Sequence, residues 1–230
     1  MFLRYKHGKS LWSNDGEGLY LGKYVGKVND EEPNGKGECS YDKDRGNYKG
    51  SWRSGERHGK GTYKNLDGRK YVGEFKEVYI TGQTKITFEN GVKFNGNLSV
   101  GLPHGQGTMI YPDARIYIGN YFKGFKSGQG TLNYSDSSSY KGGYSEGERH
   151  GQGTYTSKNG SIYEGIWSDD RLKEGVKIFV SGLEIKGEFR NSSEVIVKYP
   201  EGYNKVWMCR GWTKVSYLYT NLPLSGPFNT

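Results

Sequence analysis

Polar and apolar positions alternate along most of this chain, and the alternation restarts at a fixed interval. From Tyr48, steps of 23 residues land on Tyr71, Phe94, Tyr117, Tyr140 and Tyr163, and each opens the pattern aromatic, any residue, Gly. A period of this length marks a stack of identical supersecondary units. Side chains alternate across a strand, so Tyr48, Gly50 and Trp52 share one face while Lys49, Ser51 and Arg53 share the other. The same rule puts Gly59, Gly61 and Tyr63 together, opposite Lys60 and Thr62. Each period therefore predicts two short strands with a face of rings and glycines and a face of charges and hydroxyls. Asp67-Gly68, Asn90-Gly91 and Asn159-Gly160 predict tight two-residue hairpin turns, and residues 54–57, 145–149 and Leu102-Pro103 mark the turns at the other end. The expected fold is all-β: an elongated single-layer antiparallel sheet of tandem hairpins with a divergent C-terminal cap.

The units divide as 20–47, 48–70, 71–93, 94–116, 117–139, 140–162 and 163–184, with a worn half repeat at 1–19 and a half repeat plus cap or partner segment at 185–230. His7-Gly8-Lys9 aligns with His58-Gly59-Lys60, which makes the N-terminal stretch the second half of a unit. Unit 20–47 is 28 residues long, and its surplus falls around Asn29 to Pro33, an expected surface loop. In unit 71–93 the second strand is degenerate, and in unit 163–184 Glu174 and Val176 stand where two glycines belong. Beyond Glu194 the period ends; the strand-like runs 195–199 and 213–219 are read as a cap over the open end, with a partner strand or homodimer seam as the alternative.

Glycine weakens a strand, so its recurrence at fixed positions asks for a reason. The reading is room for a ring lying over the missing side chain, at Gly50, Gly59, Gly61, Gly96, Gly105, Gly107, Gly119, Gly128, Gly130, Gly142, Gly151, Gly153 and Gly165. Composition supports a thin, ring-covered sheet: only 33% of residues are hydrophobic although 15% are aromatic, and there are 37 glycines. The groove those rings line, Tyr48, Trp52, Tyr63, Tyr117, Tyr121, Tyr140, Tyr144, Tyr155, Tyr163 and Trp167, is the candidate partner site, since Tyr and Trp anchor interfaces.

The segments YKGSWRSGERHGKGTYKNLDG and YKGGYSEGERHGQGTYTSKNG resemble MORN (membrane occupation and recognition nexus) repeats, and the resemblance covers about residues 20–190. It implies a twisted sheet of hairpins with an aromatic-lined groove. Such arrays stand beside lipid-kinase and methyltransferase domains, or alone in axonemal and parasite cytoskeletal proteins, where the family role is structural.

The remaining chemistry narrows the function by what it lacks. His58, His104 and His150 are each 46 residues apart, and His7 holds the same place in the worn first unit. Equivalent strands two hairpins apart are roughly 19 Å apart, too far for shared zinc ligands, so they read as turn histidines. The Gly-x-Gly pairs precede no helix and are not phosphate loops. No GxSxG, HExxH, CxxC or GxxxxGK[ST] motif occurs, so the chain is expected to be non-catalytic, with no cofactor and no metal. Cys39 and Cys209 are expected as reduced thiols. The first ten residues have no apolar core of a signal peptide, and no run of 18 apolar residues occurs. The net charge of +8 is dispersed without a run of five basic residues, which disfavours nucleic acid. The expected function is a scaffold for protein partners in a cytoskeletal or ciliary assembly. The alternatives are a peripheral adaptor on acidic phospholipid membranes and a recruitment subunit for a separate enzyme.

Overall fold

Every described strand pairs antiparallel with its neighbours, as the period-two alternation predicts. The structure is a computed structural model and describes residues 1–6, 9–14, 19–42, 46–76, 79–191, 194–198, 204–210 and 214–219. The chain divides into two units, Met1–Phe125 and Lys126–Thr230. The first holds β1 (Phe2–Lys6), β2 (Lys9–Ser13), β3 (Leu19–Asn29), β4 (Glu32–Tyr41), β5 (Asn47–Arg53), β6 (Glu56–Lys64), β7 (Lys70–Lys76), β8 (Tyr79–Thr87), β9 (Lys93–Ser99), β10 (Leu102–Ile110) and β11 (Ile116–Phe122). The second takes β12 (Phe125–Asn133) from its second residue, then β13 (Ser139–Ser145), β14 (Glu148–Thr156), β15 (Ile162–Ser168), β16 (Arg171–Ile178), β17 (Glu184–Asn191), β18 (Glu194–Lys198), β19 (Asn204–Arg210) and β20 (Lys214–Tyr219). In each unit the strands follow one another as a meander of hairpins, β3 to β11 and β12 to β20. The C-terminal stretch continues the meander beyond the sequence period; residues 220–230 lie outside the described residues.

Two kinds of turn alternate, and they are the reverse of the expectation. The tight two-residue turns include Ser54-Gly55, Val100-Gly101 and Glu146-Gly147, with φ of 48° and 76°, 49° and 77°, and 51° and 94°. Positive φ at both central residues is the type I′ geometry that matches strand twist. Val100 is β-branched, and for such a residue positive φ is an outlier. The Asp-Gly and Asn-Gly ends are longer. Asn65 N–H donates to the Arg69 carbonyl (3.0 Å), Gly68 N–H donates to the Asn65 carbonyl (3.3 Å), and Arg69 N–H donates to Asp67 Oδ1 (3.0 Å). Asn90, Asp113, Asp136 and Asn159 repeat that side-chain acceptor role, each taking the N–H two residues on, just before the strand resumes. The carboxylate or amide is thus an Asx cap on a five-residue connection.

The first repeat also starts elsewhere than expected. Tyr24, not Tyr20, occupies the place of Tyr48: its hydroxyl donates to the Lys27 carbonyl (2.8 Å) as the Tyr48 hydroxyl donates to the Ser51 carbonyl (2.9 Å), and Gly26 pairs with Gly37 as Gly50 pairs with Gly61. Asp30-Glu31 is an ordinary two-residue turn with φ of 49° and 60°, so no loop is inserted there. The surplus falls in the next connection, where Tyr41 N–H reaches the Gly46 carbonyl at 3.0 Å, one residue farther than Asn65 to Arg69. In unit 163–184 the glycine row survives through Gly175, paired with both Gly165 and Gly187, one residue from the expected places.

The N-terminal segment departs from a half repeat. The strand after His7 would have to lie against β3, but β1 holds that place and β2 lies outside it. Four strand steps then separate β2 from β5, about 19 Å in a flat sheet. Trp12 nevertheless meets Trp52 with ring centroids 5.7 Å apart and Tyr24 at 5.8 Å, and its Nε1–H donates to the Gly55 carbonyl (2.9 Å). The β1–β2 hairpin therefore curls back over the ring face of the first repeats. His7 lies outside the described residues.

Candidate functional site

Each strand contributes one residue to a row crossing the sheet, and that residue is nearly always glycine. In the first unit Gly26, Gly37, Gly50, Gly61 and Gly73 pair in sequence, and in the second Gly130, Gly142, Gly153 and Gly165 do. Gly153 shows why. A Cβ there would lie 2.5 Å from the Tyr140 Cζ, inside the ring that rests on it. Tyr48 rests in the same way on Gly50 and Gly61, and Phe94 on Gly96 and Gly107. Gly119 continues the first row opposite Gly107.

The first glycine of each Gly-x-Gly pair is not a seat, which corrects the reading of Gly59, Gly105, Gly128 and Gly151. A Cβ on Gly151 would meet nothing within 4 Å, and the φ there is +72°. It sits where two residues of β13, Gly142 and Tyr144, oppose the longer stretch from Gly153 to Arg149, a bulge that needs left-handed backbone. Gly59, Gly105 and Gly128 share that positive φ. Gly165 is closed in by the Glu174 carbonyl rather than by a ring.

The seated rings zip along the face. Tyr48 meets Trp52 of its own strand at 5.2 Å and Phe75 of the next repeat at 4.9 Å, both edge to face; Tyr140 does the same with Tyr144 (5.3 Å) and Trp167 (5.2 Å). Arginine lids cover them. The Arg57 guanidinium lies 5.1 Å from Tyr63 and 5.8 Å from Tyr48 and Phe75, and Arg149 lies 4.4 Å from Trp167, 5.4 Å from Tyr140 and 5.6 Å from Tyr155. Arg149 is anchored by Asp170, whose Oδ1 accepts from its Nε (3.0 Å) and its backbone N–H (2.9 Å). Sequence reasoning passed over both arginines as turn residues; the shared run GERHG, at 55–59 and 147–151, was the available signal. Burial raises the Tyr48 and Tyr140 phenols to about 12, against the pull of Arg57 and Arg149. It also raises Tyr117 and Tyr121, and the Tyr121 hydroxyl has no hydrogen-bond partner.

This geometry corrects the partner groove. Tyr48, Trp52, Tyr117, Tyr121, Tyr140, Tyr144 and Trp167 are all at most 5% exposed, so they are core residues. A ring without exposed surface has nothing left to desolvate against a partner. Tyr63, Tyr155 and Tyr163 are half-buried and form the part of the ring face that reaches solvent. Trp12 fills the end of it at Tyr24 and Trp52. The thiol of Cys39 is unbridged and buried, which raises it to about 12. His58 and His104 lie on β6 and β10, four strands apart. Among the described residues no helix is long and apolar enough to cross a membrane.

The ring, seat and turn positions coincide with a known repeat: the MORN repeat model matches residues 48–68, 95–113, 117–139 and 140–162. The chain is a MORN-repeat protein. Between the first two matched segments lies the hairpin β7–β8, whose seat is altered, with Thr84 in the glycine row, buried between Gly73 and Gly96. No curated protein matches this MORN chain. Among solved structures, the TCP domain of Drosophila melanogaster SAS-4 (dCPAP), in complex with a proline-rich motif of Ana2 (dSTIL), aligns at 10% identity over 64% of this chain and 83% of that one, with a TM-score of 0.39. The wild-type TCP10 domain of Danio rerio CPAP, in complex with a STIL peptide, aligns at 12% identity over 86% and 100%, with a TM-score of 0.29. At such TM-scores neither likeness bears on function.

Proposed function

We propose that this MORN-repeat chain is a non-catalytic scaffold that docks protein partners in a cytoskeletal or axonemal assembly. The observation that carries the reading is an apolar ridge on the tight turns of the first unit. Val100, Leu102, Phe122 and Phe125 are 50–68% exposed. The two turns are joined by Gly124 N–H donating to the Pro103 carbonyl (2.9 Å), and His104 packs on Phe122 at 5.4 Å. At the same turn positions other repeats carry Arg53 and Glu56, or Ser145 and Glu148. These side chains together expose on the order of 400 Å² of apolar surface, the size of a typical monomer's largest patch, which is often functional. With the rings enclosed by their own arginines, the fold supplies a stiff support and the variable turn residues supply specificity.

Proximity labelling in the native cell tests this. Cytoskeletal or axonemal components are expected as the dominant neighbours, lost from a Leu102→Asp, Phe125→Asp chain. A neighbour set without any such component overturns the assignment. The membrane reading is separated by flotation with acidic vesicles at physiological salt, and the enzyme-recruitment reading by an enzyme dominating the labelled set.

A further inference from the structure

Behind the ring face of the first unit a trough of about 830 Å³ runs along the glycine row on the opposite, outward face. Its floor is the backbone of Gly26, Gly37, Gly50, Gly61 and Gly73, and its walls are two rows of outward side chains. One wall carries Val25, Glu38, Lys49, Thr62 and Val72; the other carries Lys36, Lys60, Glu74 and Gln83. Lys36, Lys49 and Lys60 sit on successive strands and on alternating walls, and all three are exposed. Glu38 is engaged by Lys49 (3.3 Å) and Lys36 by the Ser51 hydroxyl (2.9 Å). The corresponding trough of the second unit has the opposite balance, Glu164 and Glu174 against Lys186.

We propose that the lysine trough of the first unit docks an extended acidic protein segment, with carboxylates meeting Lys36, Lys49 and Lys60 and small apolar residues lying on the glycine floor between Val25 and Val72. The inference rests on the scaffold reading and names one partner chemistry for it. Charge and shape select the occupant. Five strand spacings from β3 to β8 span about 24 Å, the length of roughly seven extended residues, whose side chains alternate left and right as the lysines do. Single-stranded nucleic acid needs aromatic platforms to stack on, and the trough has none, the rings being on the other face. A flat bilayer cannot enter a concavity one chain wide, and Glu38 and Glu74 in the walls oppose a sheet of phosphates.

The test uses the full chain and a fluorescent peptide of about a dozen residues alternating Glu with Ala and Val. Binding is expected, weakening about tenfold when salt is raised through the range where the Debye length falls below the lysine–carboxylate reach. The triple variant Lys36→Glu, Lys49→Glu, Lys60→Glu should lose at least about tenfold in affinity, since each exposed pair is worth roughly two- to five-fold. Lys141→Glu in the second unit should leave affinity unchanged, and Glu38→Lys with Glu74→Lys should tighten it. Equal binding by the triple variant, equal binding of a Lys-for-Glu peptide, no tightening by the double variant, or preference of these lysines for single-stranded RNA or acidic vesicles each overturns the assignment. If the triple variant keeps its cytoskeletal neighbours in the cell, the trough assignment falls and the scaffold reading stands.

Discussion

The hairpins β5–β6 and β7–β8 are adjacent and differ at one decisive place. In β5–β6 the row position is Gly61, and the Tyr48 ring lies on it, fully buried, with Cε2 2.5 Å from where a Cβ would be. In β7–β8 the row position is Thr84, 1% exposed, with its hydroxyl donating to the Gly82 carbonyl (3.2 Å). A Cβ on Gly73 would meet the Thr84 Oγ1 first, at 2.7 Å, where the one on Gly61 meets the Tyr48 ring. Tyr71, which should have sat there, is half-exposed and tilts against Tyr63 at 6.1 Å. Burial in that repeat passes to Phe75, Ile80 and Ile86. Seat and ring are therefore one unit of the sequence: a side chain in the seat turns the ring out, and aliphatic residues close the gap.

The sharpest way to break the comparison is to fill a seat without moving its ring. Gly153→Val is expected to lose about 3 kcal/mol by overpacking against Tyr140, whereas Gly151→Val, whose Cβ has open space but the wrong backbone hand, loses about 1–2 kcal/mol. Urea unfolding of both variants checks the order, and a Gly153→Val, Tyr140→Ala chain should recover part of the loss. Equal losses would mean that the two glycines serve one purpose.

Alkali comes next. A phenol whose folded value is raised stabilises the fold below its ordinary 10.0 and loses that contribution as pH climbs to about 12, as at Tyr48 and Tyr140. Cys39 adds the window from its ordinary 9.0 to about 12. The melting temperature should fall by roughly 10 °C between pH 9 and 12, and by less in Tyr48→Phe, since Phe94 shows that a phenyl ring fits the seat. Thermal melts across that range decide it.

Much of this was legible in the chain. The period and the alternation of rings with glycines located β5 to β15 and the core face, because both record backbone spacing directly. The first repeat was misplaced because Tyr20-Leu21-Gly22 and Tyr24-Val25-Gly26 satisfy the same pattern, and only strand pairing separates them. The turns at 54–57 and 145–149 were placed but their tightness was not, because Ser54, Val100 and Glu146 hold positive φ without being glycine or asparagine. The arginine lids, the N-terminal hairpin over the ring face and the lysine trough are tertiary: no local pattern says which cation reaches which ring.

Two smaller effects sharpen the comparison further. Arg149→Ala should destabilise by about 2 kcal/mol, combining the lost cation–π contacts with the lost cover of the stem. Arg149→Met should recover some of this, as Ile80 covers the altered repeat without charge, and denaturant midpoints would show it. Thr84→Gly should draw Tyr71 inward over Gly73 with a net change within about 1 kcal/mol; shielding of the Tyr71 ring protons in NMR spectra reads the movement, and an unshifted ring would show that Thr84 is not what excludes it.

The β1–β2 hairpin has a consequence for self-association. A ladder of hairpins would expose a paired-strand edge ready to accept another copy, the usual route to fibres. Here the outermost described strand of the first unit is drawn out of the ladder plane and held by one indole, with its N–H on the Gly55 carbonyl. Trp12 thus makes that end of the array a stop, so that a repeat built for extension in sequence is denied extension in space.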